Sequence, residues 1–170
     1  MPDFALIVLA RAIHVIAGVT WAGATFMLAM VVVPLAARYG AAGAGRWFGM
    51  AARRAGVIVG MSASLTVLSG VYLFAALHPH DESAGGLILK SGAAAALLSL
   101  AVGLLIARPA GQTLEKLYDA RLDGAASSSE ASRQLAALHL RVALGSRVAA
   151  GLLGAAVLAM AVFRYAAATI

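Results

Sequence analysis

Four long apolar stretches decide what this sequence can fold into. They lie at approximately residues 5–34, 55–77, 86–107 and 142–165. A helix needs about 20 residues, at ~1.5 Å each, to cross ~30 Å of hydrocarbon, and each stretch is that long. None of them alternates apolar and polar residues as a strand of a membrane barrel does. The sequence therefore predicts an all-α fold, an integral membrane bundle of four transmembrane helices that forms a single domain over residues 1–170.

The composition argues against a soluble protein. Hydrophobic residues make up 62% of the 170 residues and charged residues only 12%, and the mean hydropathy is +0.92. A soluble domain is about half apolar and about a quarter charged, and a small one cannot hide such an apolar excess. A soluble enzyme, a disordered chain and a nucleic-acid-binding module are all disfavoured. Because the chain has no cysteine, disulfides, iron–sulfur clusters and thiolate metal sites are excluded.

The connections between the stretches differ in basic residues. Connections 38–54 and 108–136 contain eight Lys or Arg, whereas 78–85 contains none. Since basic residues in short loops remain in the cytoplasm, we expect both basic connections there and both termini outside, in the inner membrane of a bacterium. Pro109 and Gly111 are expected to end the third stretch, ahead of a short amphipathic helix at 113–122.

His14 is the one histidine that lies well inside an apolar stretch. An ionisable group at this depth is costly and is a functional hypothesis by default. Gly18 and Trp21 share its helical face, at offsets of four and seven residues, and a small residue one turn away leaves room for a planar ligand. The pattern predicts haem b, with His14 as an axial metal ligand. Two alternatives stay open: a neutral histidine hydrogen-bonded to another helix, and a proton or quinone site.

Two basic residues accompany this candidate site. Lys90 lies about one turn inside the third stretch, where it either extends to the headgroups or points into the bundle beside His14 to hold a haem propionate. In the second case it is a candidate catalytic residue. Arg11 lies one turn before His14 and can pair with a propionate or a lipid phosphate.

The remaining histidines are candidate metal ligands. His78 and His80 precede Asp81 and Glu82 in the second connection, a set that can bind copper(II) or zinc, or that is simply a solvated loop. Either histidine can be the second ligand of a haem iron if the loop folds inward. His139 can do so only if the fourth helix begins early and buries its first turns.

Two segments carry a resemblance to a known superfamily. The first apolar stretch, with RAIH at 11–14 and WAG at 21–23, resembles the first helix of a group that includes the copper-resistance D membrane proteins and the HemJ-type protoporphyrinogen oxidases. In the latter, a histidine and a tryptophan in this helix and a lysine early in the third match His14, Trp21 and Lys90. The ending MAVFRY at 160–165 is similar to their last helix.

The resemblance implies a four- or five-helix bundle that binds haem b, with His14 as ligand and Lys90 essential. It makes protoporphyrinogen oxidation one candidate activity. The sequence departs from the HemJ pattern after the first helix, which ends in VVVPL at 31–35 without the aromatic and arginine-containing residues of that group. It also lacks the large periplasmic loops and the numerous histidines of a copper-resistance D protein.

Two classes of function follow. In the first, the chain is a haem-b-binding membrane redox protein that oxidises a porphyrinogen or transfers electrons to the quinone pool. In the second, it is a non-catalytic accessory or assembly subunit of a larger membrane complex, and His14 serves only to pack one helix against another. A third hypothesis is that the protein handles copper. The expected partners are the lipid bilayer, a quinone or other membrane redox proteins, and further copies of the chain in a homo-oligomer or the other subunits of a larger complex, with no nucleic acid.

Overall fold

The computed structural model describes residues 3–78, 81–123 and 128–166, except for the side chains at 40–52 and 122. All regular structure in these ranges is helical. The helices are α1 (Phe4–Met27), α2 (Val33–Leu77), α3 (Ala84–Val102), α4 (Arg108–Leu122) and α5 (Ser129–Ala166). Two five-residue π-helical turns, Leu28–Val32 and Gly103–Ala107, join α1 to α2 and α3 to α4.

Four helical segments are long and apolar enough to cross a membrane. They are Phe4–Tyr39, Arg53–Leu77, Ala84–Arg121 and Ser129–Ala166. Large apolar side chains cover their outer surfaces, where lipid replaces water as the solvent, and Ile16, Leu68 and Leu158 are each more than 65% exposed. The predicted all-α membrane bundle of four spanning helices is therefore confirmed.

The bundle consists of two antiparallel hairpins. α1 packs against the Arg53–Leu77 segment of α2, and α3 packs against α5. The Ser99 hydroxyl of α3 donates to the backbone carbonyl of Ala149 in α5, at 2.8 Å, and so links the second hairpin across its interface. We call the end of the bundle with residues 38–54, 108–123 and 128–136 the basic end. The opposite end, with Phe4, His78 and residues 81–83, is the His78 end.

Trp21 joins the two hairpins at the centre of the bundle. It is only 3% exposed and packs with Ala63 of α2 and Leu153 of α5. Ala96 and Leu100 of α3 border the same cluster, so all four membrane segments meet around the indole. Trp21 therefore holds the four segments together by apolar contact.

The π turns explain how two helices continue past a proline. Pro34 and Pro109 each lie two residues after the end of a π turn. In an α-helix the proline ring would clash with the carbonyl four residues earlier. This carbonyl belongs to Met30 for Pro34 and to Leu105 for Pro109, and each of these is the middle residue of its π turn. The wider turn relieves this clash locally. The expectation that Pro109 and Gly111 end the third helix is therefore wrong, because helical structure continues to Leu122.

At the basic end, α4 and the start of α5 form a small core of their own. Its buried members are Ala110, Leu114, Tyr118, Leu135 and Leu138. Arg53 of α2 places its Nε 2.9 Å from Oε1 of Glu115 in α4, which ties the first hairpin to this core. α5 begins at Ser129, well before the apolar stretch that starts near residue 142. The fourth helix thus begins early, with its first turns packed against α4.

Candidate functional site

His14 lies half-buried between α1 and α2. Its Nδ1 is 2.8 Å from the backbone carbonyl oxygen of Thr66 and 3.4 Å from the hydroxyl oxygen of Ser69. The Thr66 carbonyl can only accept, so Nδ1 carries the hydrogen and donates it. In the neutral imidazole Nε2 then retains a lone pair, and no described residue hydrogen-bonds to it. This is the tautomer in which Nε2 can bind a metal.

Gly70 allows the imidazole to approach the backbone of α2. A Cβ built on Gly70 would lie 2.8 Å from Cε1 and 3.2 Å from Nδ1 of His14, too close for any larger residue without a shift. The ring therefore packs directly against the second helix. Thr66, Ser69 and Gly70 together form the surface that orients His14.

An open, apolar groove of about 270 Å³ runs along the α1–α2 interface beside His14. His14 itself does not line the groove, but Ser69, which does, places its hydroxyl 3.4 Å from Nδ1 of His14. Besides Ser69, Tyr72 is the other residue with a hydroxyl group in the described lining of the groove. The full lining consists of Leu6, Leu9, Ala10, Ile13, Leu65, Leu68, Ser69 and Tyr72. The surface that the groove offers to a ligand is apolar throughout.

Gly18 and Trp21, which share the predicted face with His14, do not line this groove. A Cβ on Gly18 would lie 3.6 Å from Cγ2 of Thr66, an ordinary contact, so Gly18 faces α2 without being required there. Trp21 is occupied at the centre of the bundle. Both residues therefore contribute to helix packing in this structure.

Lys90, in the second turn of α3, contacts the loop at the His78 end. Its Nζ donates to the backbone carbonyl of Asp81 at 2.8 Å. The Asp81 carboxylate in turn accepts from the Ser83 hydroxyl at 2.6 Å and from the Ser83 amide at 3.0 Å. These two bonds hold the pKa of the Asp81 carboxyl below its ordinary value, with further lowering by His78 and Lys90. The structure does not bring Lys90 into contact with His14 among the described residues.

Arg11 is the basic residue nearest to His14 along α1. Its side chain is exposed and has no ion pair within the described ranges. It lies almost one turn closer to the His78 end than His14 does. Arg11 does not line the groove, whose α1 lining is Leu6, Leu9, Ala10 and Ile13.

The other predicted metal ligands lie apart from His14. Nδ1 of His78 is 3.6 Å from Oδ2 of Asp81, and its ring meets Phe163 edge-on at 6.0 Å. Nε2 of His139 bonds to the Tyr118 hydroxyl in the α4–α5 core at the basic end. His80 lies outside the described residues. Within the described ranges, no group of three or more His, Asp or Glu side chains is placed to hold a metal ion.

Sequence reasoning missed the residues of α2 that contact His14. Thr66, Ser69 and Gly70 look like small residues of an ordinary apolar stretch. A signal was present, because a buried histidine needs a partner and few polar groups are available in that stretch. The partner is a backbone carbonyl, which every residue carries and which no sequence pattern marks.

Comparison with known proteins gave no relatives: no protein-family model, no curated protein and no solved structure matches this chain.

Proposed function

We propose that this chain is an integral membrane redox protein that binds haem b, with His14 as an axial ligand of the iron. The supporting observation is the hydrogen bond from His14 Nδ1 to the Thr66 carbonyl at 2.8 Å. Metal-binding histidines commonly donate their second ring N–H to a carbonyl in this way, which fixes the tautomer and orients the ring. Nε2 is left with its lone pair and without a partner among the described residues.

The residues around His14 fit such a group in part. A neutral imidazole is a usual haem ligand, and the groove beside it is apolar, as a porphyrin requires. At about 270 Å³ the groove is smaller than the roughly 300–1,000 Å³ of most ligand pockets, so it would cover only part of a haem. Among the described histidines, His78 pairs with Asp81 and His139 bonds to Tyr118, so His14 is the one that would hold the iron.

Each residue of the site has a distinct task in this proposal. When bound, haem supplies an iron that exchanges one electron. His14 binds the metal, and the Thr66 carbonyl keeps the proton on Nδ1 so that Nε2 stays basic. Leu65 and Leu68 exclude water from the groove, which lowers the local dielectric. Arg11 is the cation available for a propionate, whereas the Lys90 ammonium is occupied by the Asp81 carbonyl.

The finer assignments belong to the same proposal. The substrate would be a porphyrinogen or a quinone, both of which reach a groove open to the lipid. We place the protein in a bacterial inner membrane with the basic end in the cytoplasm. The reason is that connections 38–54 and 108–136 contain eight Lys or Arg, whereas connection 78–85 contains none. The His14 groove would then lie in the outer half of the bilayer.

The absorption spectrum of the purified full chain tests the proposal. The protein is expressed with ample haem and purified in mild detergent, and we expect a Soret band in the wild type. His14→Ala should lose this band while still inserting into the membrane. His139→Ala is the matched control and should retain the band, since His139 lies in the α4–α5 core. A colourless wild type, or a His14→Ala variant with an unchanged band, contradicts the proposal.

A second candidate function rests on the same histidine. Its ring packs on Gly70, and its Nδ1 donates a hydrogen bond to the Thr66 carbonyl. These two contacts also join α1 to α2 without any ligand. A chain in which His14 only packs would be an accessory or assembly subunit of a larger membrane complex. In that case the protein would be colourless, and His14→Ala would lower its thermal stability without any spectral change.

A further inference from the structure

A second open groove lies at the basic end of the first membrane segment. Its volume is about 420 Å³, and its described lining is Pro34, Leu35, Ala37 and Arg38. The described lining is apolar except for one guanidinium. The groove therefore combines an apolar surface with a cation at its end.

The surface leading into this groove is a continuous apolar track. Met27, Val31 and Leu35 are exposed and follow one another at intervals of four residues, which places them on one face of the helix. Arg38 follows three residues after Leu35 on the same face. The helical rise from Met27 to Arg38 is about 16 Å at ~1.5 Å per residue, about half of the ~30 Å hydrocarbon thickness. The track therefore matches the length of one lipid acyl chain.

The charge of Arg38 has no counterpart in the described chain. The side chain is exposed, and the described ion pairs use Arg53 and Arg133 instead. An arginine at headgroup depth forms its strongest contacts with a phosphate, through parallel charge-assisted hydrogen bonds. Tyr39, 61% exposed, is the next residue, and aromatic side chains of this kind are typical of the membrane interface.

We propose that this groove binds one anionic phospholipid, with its phosphate on Arg38 and an acyl chain along Leu35, Val31 and Met27. An anionic lipid is favoured over a zwitterionic one because it balances the unpaired guanidinium without adding a cation of its own. The site is at the opposite end of the first membrane segment, Phe4–Tyr39, from Arg11 and does not depend on haem binding at His14.

Spin-labelled lipids test this site. The full chain is reconstituted in phosphatidylcholine vesicles with a minority of phosphatidylglycerol, and electron paramagnetic resonance gives the share of each labelled lipid immobilised by the protein. We expect a preference for labelled phosphatidylglycerol. Arg38→Gln should lower that preference about fivefold, the equivalent of about 1 kcal/mol for one basic residue. Arg38→Lys should retain most of it.

Two controls make the result specific. Arg54→Gln removes an exposed cation at the same end of the bundle but outside the described lining of the groove, and should leave the preference nearly unchanged. Leu35→Ser interrupts the apolar track and should reduce immobilisation of both lipids. Equal losses in Arg54→Gln and Arg38→Gln would overturn the proposal in favour of a diffuse surface charge. Competition by inorganic phosphate at constant ionic strength would overturn it in favour of a free phosphate site.

Discussion

The Nδ1 atom of His14 and the backbone carbonyl oxygen of Thr66 are 2.8 Å apart, and the hydrogen bond between them joins the first membrane segment to the second. Because a carbonyl can only accept, this bond determines which ring nitrogen carries the hydrogen. It also removes most of the cost of placing an imidazole among apolar helices, which is several kcal/mol for an unpaired polar group. The same contact therefore stabilises the hairpin and leaves a lone pair on Nε2.

The close approach of His14 to Gly70 gives the first prediction. Gly70→Ala should lower the free energy of unfolding by about 1–3 kcal/mol, the usual cost of overpacking, because the added methyl would lie 2.8 Å from Cε1 of His14. Gly60→Ala is the matched control: it has no atom within 4 Å of a built Cβ and should be neutral or stabilising. Thermal unfolding in detergent measures both. Equal stability of the two variants would mean that the ring does not pack on α2.

The four membrane segments were predictable from sequence, whereas the contacts of His14 were not. Length and apolarity are sufficient to identify a spanning helix, because the bilayer sets a simple requirement. The pairing of His14 with Thr66 depends on where the chain turns back between α1 and the second segment, a long-range property that no local pattern encodes. The partner atom is also a backbone oxygen, so side-chain chemistry gives no hint of it.

The two prolines illustrate a second limit of sequence reasoning. Pro34 and Pro109 resemble helix ends, since proline lacks an N–H and clashes with the preceding turn. Both helices instead continue, because the turn before each proline widens to π geometry. Whether a proline ends a helix or only distorts it depends on packing of the following residues. After Pro109 that packing is supplied by the α4–α5 core, around Leu114 and Leu138.

The second prediction separates the tasks of Lys90 and Arg11. Lys90→Met should leave haem retention nearly unchanged, because the ammonium is bonded to the Asp81 carbonyl and not to the His14 site. Arg11→Gln should lower haem retention, because it removes a cation that has no described ion pair and lies about one turn from His14. The ratio of Soret to protein absorbance after repeated washing measures both effects. Loss of haem in Lys90→Met alone would contradict this assignment and restore Lys90 as the propionate partner.

The third prediction concerns the pH dependence of the loop at the His78 end. Hydrogen bonds from Ser83 lower the pKa of Asp81 below its ordinary value of 3.8. The ionised carboxylate therefore stabilises the folded loop fully above pH 3.8, and this contribution is lost as the pH falls through the lowered pKa. The chemical shift of the Ser83 amide proton should follow this transition.

Two variants define the origin of that transition. Asp81→Asn should abolish the pH dependence of the Ser83 amide, because the amide side chain does not titrate in this range. Glu82→Gln should preserve it, since Glu82 is exposed and makes no described hydrogen bond to Ser83. A midpoint above 3.8, or one that vanishes in Glu82→Gln, would show that another carboxylate governs the loop.

The fourth prediction concerns the orientation of the bundle. The cysteine-free sequence allows single cysteines to be introduced without background labelling. Ser83→Cys, at the His78 end, should react with a membrane-impermeant thiol reagent in whole spheroplasts, whereas Ser128→Cys, at the basic end, should react only after the membrane is opened. The physical reason is the concentration of basic residues at one end, which holds that end in the cytoplasm during insertion. The reverse pattern of labelling would place the His14 groove in the cytoplasmic half of the bilayer and the Arg38 groove in the outer half.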